Sequence, residues 1–313
     1  MATKHWSKMA ERGSYLGMRF LLLSYRVLGR TGLWIVLFPV VFYFYCTGRV
    51  ARTASLDFLR RVAQYQHQTT QPGFWQGLKH FMSFADSAFD KIDAWTGRIS
   101  AQDIDYENHA LFEQLQNSGQ GAVFIGSHLG NLEVCRALSV GRYQVKINVL
   151  VFTHHAVEFN RTLQKISPNV NVDLIQVTDM NPELAIILQQ KIDAGEVVVI
   201  VGDRTSTSVS QRVSYCDFLG APAPFSQGPF ILAAVLDCPV YLLFCLKHKN
   251  RYRVIFESFA EQLTLPRKTR QAALQSVIQR YADRLAFFSL QAPYQWFNFF
   301  DFWQKDDCVS RDD

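Results

Sequence analysis

A histidine and a glutamate five positions apart, within Ser127-His128-Leu129-Gly130-Asn131-Leu132-Glu133, are the residues of this chain best suited to acid-base chemistry. An imidazole with one nitrogen hydrogen-bonded to a carboxylate has a fixed tautomer, and its other nitrogen can take a proton from an alcohol. That is the logic of a Ser-His-Asp triad with the substrate's own hydroxyl in the place of serine. A second polar pair, Asp203-Arg204, closes the apolar run that begins at Val197. A guanidinium there can stabilise thioester oxyanion charge or hold an acceptor phosphate, and a buried structural pair with Asp203 is the plainer alternative. His128 and Glu133 have a plain alternative too: a loop histidine and a glutamate that suits a helix dipole.

The elements that must position these groups follow from hydrophobic pattern. Ala122 to Gly126 reads as a strand, followed by a short turn and a helix from Leu132. Asn131 is expected as the N-cap and as a substrate contact. Gly130 permits the sharp turn, and Glu133 falls in the first helical turn, from which it can reach back towards His128. Further strands are expected at Ile147 to Phe152, Val172 to Val177, Val197 to Gly202, Val240 to Cys245 and Tyr252 to Phe256. Helical patterns lie between them at His155 to Ile166, Pro182 to Ala194 and Gln227 to Leu236, after a helix over Gly73 to Trp95. A closing helix, Lys268 to Leu290, leads to Pro293 and an aromatic tail from Trp296 to Trp303. The alternation predicts an α/β fold with a mostly parallel central sheet flanked by helices. Ligands of such sheets bind at the carboxyl edges of the strands, where the motif ends.

Residues 1 to 61 carry a net charge of +8 and the remainder −3, an asymmetry that points to an anionic surface. Lys8, Arg12, Arg19, Arg26 and Arg30 follow steps of four, seven, seven and four, which places them on one stripe of a helix. Apolar residues occupy the rest of that cylinder, a pattern that favours phospholipid over nucleic acid. The run from Gly32 to Thr47, broken by Pro39, is shorter than the roughly 20 residues a bilayer requires, so a re-entrant or half-inserted anchor is expected. Two units result: a membrane-interacting helical anchor over 1–61 and an α/β catalytic domain over 62–313. The six cysteines lack metal-ligand spacing and read as reduced packing residues, and His154-His155 reads as structural. Nucleotide-binding glycine loops, a Gly-x-Ser-x-Gly elbow and a His-Glu-x-x-His motif do not occur.

The His128 to Glu133 block resembles the His-x-x-x-x-Asp/Glu motif of glycerolipid and lipid A acyltransferases. The chain as a whole is similar to the bacterial lipid A biosynthesis (lauroyl/myristoyl) acyltransferase family, from the basic front end to the aromatic tail. Asp217-Phe218-Leu219-Gly220-Ala221-Pro222-Ala223 resembles that family's Phe-Phe/Leu-Gly-x-x-Ala element. The resemblance implies His128 as general base with Glu133 orienting it, and no cofactor beyond the acyl thioester of the donor, acyl carrier protein or coenzyme A. It also implies a lipid or glycolipid acceptor and a place on the cytoplasmic face of the bacterial inner membrane. Asp203 matches an acidic residue of the family, and with Arg204, Asn160 and Arg161 it is expected to contact substrate. Arg204 stands where many relatives have Gln. Gly202-Asp203-Arg204-Thr205 replaces the Glu-Gly-Thr-Arg of phosphate-acylating relatives, which points away from glycerol-3-phosphate and lysophosphatidate. Two other functions fit the same residues, a non-catalytic membrane adaptor and a thioester hydrolase.

Overall fold

The computed structural model of the chain describes residues 15–138, 146–151, 172–177, 182–204 and 212–303. Asn160, Arg161, the expected helix from His155 to Ile166, His154-His155, Lys8 and Arg12 lie outside the described residues, as do the side chains of Arg19 and Arg26. The chain order is α1 (Tyr15–Thr47), α2 (Arg49–Tyr65), α3 (Phe74–Trp95), β1 (Ile104–Glu107), α4 (His109–Ser118), β2 (Ala122–Gly126), α5 (Leu132–Leu138), β3 (Ile147–Val151), β4 (Val172–Gln176), α6 (Pro182–Asp193), β5 (Val197–Val201), β6 (Val213–Phe218), β7 (Ala221–Ser226), α7 (Gly228–Val235), β8 (Val240–His248), β9 (Arg251–Ala260) and α8 (Arg270–Gln291).

Among the described residues seven strands form one sheet in the order β1-β9-β8-β2-β5-β3-β4, and β6 and β7 form a separate antiparallel hairpin. Within the large sheet only β8 and β9 pair antiparallel. The expected mostly parallel α/β sheet is therefore present. Every residue of β2 is buried, because successive side chains enter two different cores. Val123 and Ile125 join the main core with Ile278, Tyr281, Leu285 and Phe288 of α8, whose spacing of three and four makes one helical stripe. Ala122 and Phe124 point the other way, against Leu115 of α4 and Phe256 of β9.

The amino-terminal helices grip this body. Gly29, at φ 65, interrupts α1, and the segment Gly32–Thr47 meets α2 at a bend of 92°. Among the described residues no single helix is long and apolar enough to cross a membrane, although that bent pair together meets the requirement of length and composition. Phe58, Leu59 and Val62 of α2 belong to the main core, so the boundary placed at residue 61 falls inside a helix packed on the sheet domain. Arg30 also departs from the expected lipid-facing stripe. Its guanidinium is bonded to Asp86, Asp90 and Asp93 of α3, the first and last at 2.7 and 2.6 Å, and Lys247 of β8 bonds two of them, Asp86 and Asp90. Three carboxylates spaced for one helix face require cations, and Arg30 meets that need instead of a lipid phosphate. Other parts of α1 and α3 remain open to solvent, with Ile35, Phe38, Tyr43 and Trp75 all exposed.

Candidate active site

Strand register brings the site together. β2 and β5 are parallel neighbours with Gly126 opposite Val201, and the Gly202 N–H donates to the Gly126 carbonyl at 3.0 Å. Two residues beyond each strand end, His128 and Asp203 leave the same carboxyl edge side by side. The His128 backbone N–H donates to Asp203 Oδ2 at 2.8 Å, and Nδ1 lies 2.8 Å from Oδ1. A carboxylate accepts only, so the imidazole proton sits on Nδ1 and Nε2 carries the lone pair.

The segment after α8 closes over this edge. Leu129 pairs antiparallel with Trp296, Gly130 pairs parallel with Cys245, and the N–H groups of Gly130, Asn131 and Phe297 donate to Gln295, Cys245 and His128 carbonyls. Gly130 has φ +77, and a side chain there would put its first carbon 2.0 Å from the Cys245 carbonyl oxygen, so the turn admits only glycine. Gln295 fixes the incoming segment by bonding both the N–H and the carbonyl of Lys247 through its side chain. Trp296, fully buried, then aims its indole N–H at Asp203 Oδ2, 2.9 Å away.

Asp203 is wholly buried and accepts three hydrogen bonds. Burial pushes its carboxyl pKa up, but the charge on His128 and the donors from His128 and Trp296 outweigh this and hold it below the ordinary value. His128 is shifted down, first by desolvation and then by the Arg204 cation, against the opposing pull of Asp203. The outcome is a neutral imidazole at neutral pH beside an ionised carboxylate. The His128 side chain keeps 26% of its surface accessible, whereas that of Asp203 keeps none.

The surroundings of three expected site residues, Asp203, Glu133 and Asn131, follow from the same geometry. Asp203, expected to contact substrate, has no open surface and bonds His128 and Trp296 through its two oxygens. Nδ1 thereby meets the carboxylate of Asp203, while Glu133, expected as the residue that orients the imidazole, lies in the first turn of α5. Asn131, also assigned to substrate, is buried, and its Nδ2 donates to the Ser87 carbonyl of α3 at 2.9 Å, pinning the motif to that helix. Arg204 lies at the site beside Asp203, bonded through Nε to Asn298 Oδ1 at 3.3 Å and with its guanidinium 5.9 Å from the ring of Phe300. Trp296 was legible only as a member of an aromatic tail. His80 carried no signal at all: it is buried on α3, bonded to Ser55 Oγ at 2.9 Å and the Trp296 carbonyl at 3.0 Å, and its pKa is lowered to about 4 by desolvation.

Fold and site together define an α/β protein with a carboxylate-held imidazole at the carboxyl edge of a mostly parallel sheet. A family model described as bacterial lipid A biosynthesis acyltransferase matches residues 79–305, which take in most of α3, the whole sheet and the aromatic segment. The chain belongs to that family, and membership supports an enzyme that transfers acyl groups to lipid A-like acceptors. No curated protein matches the chain.

Proposed function

We propose that this protein moves a fatty acyl group from a thioester donor, acyl carrier protein, to a hydroxyl of a lipid or glycolipid acceptor. His128 is the general base. Its Nε2 takes the hydroxyl proton as the oxygen attacks the thioester carbonyl carbon, Asp203 stabilises the imidazolium, and the departing thiolate takes the proton back. Arg204 stabilises the oxyanion that forms between these steps. Glu133, in the amino-terminal turn of α5, is the motif's second carboxylate, and its negative charge favours the imidazolium.

The single observation that carries the reading is the 2.8 Å contact of His128 Nδ1 with a buried carboxylate that holds three donors. A structural histidine needs no such partner; a base that cycles between neutral and charged forms does. The exposed apolar side chains of α1 and α3 and the basic front end support action at a membrane, on the cytoplasmic face of the inner membrane where acylated carrier protein is found. A thioester hydrolase would use the same base with water in place of the alcohol, and nothing in the site favours it.

Detergent-solubilised protein incubated with acylated carrier protein and host lipid extract, with products followed by mass spectrometry, tests this reading. The expected result is a new lipid ester with wild type and none with His128→Ala. Free fatty acid in place of an ester would establish the hydrolase, and an intact donor in both samples would remove the thioester-to-lipid reaction.

A further inference from the structure

Asn298 interrupts an aromatic stretch, Phe297-Asn298-Phe299-Phe300, at a position only 1% exposed. A phenylalanine or leucine would bury there without any hydrogen-bonding demand, so a carboxamide needs a reason. Its Oδ1 accepts the Nε–H of Arg204 at 3.3 Å, while its Nδ2 has no partner among the described residues. A buried amide left half satisfied costs stability, which is tolerable where the other half does necessary work. The orientation is forced, because turning the amide would set NH2 against a guanidinium that has only donors to offer.

The backbone fixes where this oxygen stands. Phe297 N–H is bonded to the His128 carbonyl at 3.0 Å, and Asn298 N–H folds back to the Trp296 carbonyl at 3.0 Å, so residue 298 is held one position past the strand-like pairing that closes the site. Arg204 in turn directly follows Asp203. The bond at Nε is on the stem side of the guanidinium, where it sets the plane of the group.

We propose that Asn298 is a positioning residue that acts through Arg204, holding the guanidinium beside His128 where the thioester carbonyl oxygen gathers charge. This rests on the acyl-transfer reading given above. In that reaction the acceptor oxygen bonds to the carbonyl carbon, its proton passes to His128 Nε2, the carbonyl π electrons move to oxygen opposite Arg204, and collapse expels the thiolate, which recovers the proton. Arg204 must stay in place through the charged interval, and Asn298 keeps it there at no cost in net charge, where a carboxylate partner would partly neutralise it. The charged or titratable groups that act on His128 are Asp203 and Arg204 beyond β5 and Lys91 of α3, with Tyr281 of α8 next to Asp203, and Glu133 stands in the first turn of α5. Of these, Arg204 exerts the larger depressing effect of the two cations on the imidazole.

Two readouts on the full-length protein test the proposal: the His128 titration followed by NMR of labelled imidazole, which needs no acyl donor, and single-turnover acyl transfer. Asn298→Leu releases Arg204, so the His128 pKa should rise and the rate should fall about tenfold to hundredfold, with little change in KM for the donor. Asn298→Asp retains the acceptor and should recover much of that rate. In an Arg204→Gln background, Asn298→Leu should add nothing to either readout. Should N298L fail to fold, N298S, too short to span the contact, takes its place. A wild-type titration and rate in the Asn298 variant would overturn the proposal, and so would an equal shift in the Arg204→Gln background. An Arg204-dependent shift in titration with no acyl transfer by any form would leave the positioning role standing and remove the reaction instead.

Discussion

Trp296 and Asp203, 93 residues apart in the chain, are joined by an indole N–H to carboxylate hydrogen bond of 2.9 Å in the buried floor of the site. The contact ties the segment after α8 to the end of β5, so the last aromatic residues stabilise the ionised form of the group that holds His128. Trp296→Phe keeps most of the apolar volume and removes the donor. We expect a loss of about 1.5–3 kcal/mol in unfolding free energy, the ordinary worth of a hydrogen bond to a charged group, with a lower rate at every pH. Chemical denaturation beside a rate measurement checks both.

The pH profile follows from the direction of the His128 shift. Desolvation and Arg204 lower its pKa, and the reaction needs the unprotonated imidazole, so the acid limb of kcat/KM should lie below the ordinary histidine value of about 6.5. Arg204→Gln removes one depressing influence. Its acid limb should move to higher pH, with the maximal rate reduced about tenfold to thousandfold for loss of a charge stabiliser. An acid limb that stays in place would separate Arg204 from the imidazole.

His80 makes stability depend on pH by a separate route. Its folded pKa of about 4 lies below the unfolded value of about 6.5, so the unfolded chain takes up a proton that the folded chain refuses. Its contribution is complete above the unfolded pKa and is lost as pH falls from there to the folded pKa, an effect of about 3 kcal/mol when fully developed. His80→Gln keeps a donor and an acceptor but cannot titrate. Urea midpoints measured between pH 7 and pH 4 should fall less steeply for this variant than for wild type, even if it starts lower.

Gly130→Ala tests the turn on which the motif depends. The left-handed backbone and the 2.0 Å approach to the Cys245 carbonyl admit no side chain, so the loop must move away from β8. The expected outcome is a loss of several kcal/mol or failure to fold, read from thermal unfolding and soluble yield. A stable, active variant would show that the motif does not need its seat on β8.

Much of the fold was legible in hydrophobic pattern, since β2, β5 and α8 are a buried apolar run, a second such run and a three-four stripe. The β6-β7 hairpin was not expected, and β7 shows why: Pro222 and Pro224 lack N–H donors and argue against a strand, yet they fit a two-stranded ribbon whose outer edge needs no partner. His128 was legible because strand, turn and helix succeed one another locally. The partnership with Asp203 was not, because it depends on β5 lying next to β2 in a particular register, and sheet order is a tertiary fact. Glu133, five residues away, was the nearer candidate in sequence, but the imidazole faces the adjacent strand. Arg30 was misplaced for a similar reason: the stripe it belongs to is visible locally, and the three aspartates that claim it lie on another helix.

The central claim is that a neutral His128, held through Nδ1 by Asp203, removes the acceptor proton during acyl transfer. Its most direct test is the single-turnover rate of ester formation for Asp203→Asn, Glu133→Gln and His128→Ala beside wild type, with folding verified for each. The account predicts that Asp203→Asn loses about a thousandfold or more, close to His128→Ala, because the amide favours the wrong tautomer, while Glu133→Gln loses far less. The reverse order, a severe loss at Glu133 with Asp203→Asn near wild type, would contradict it.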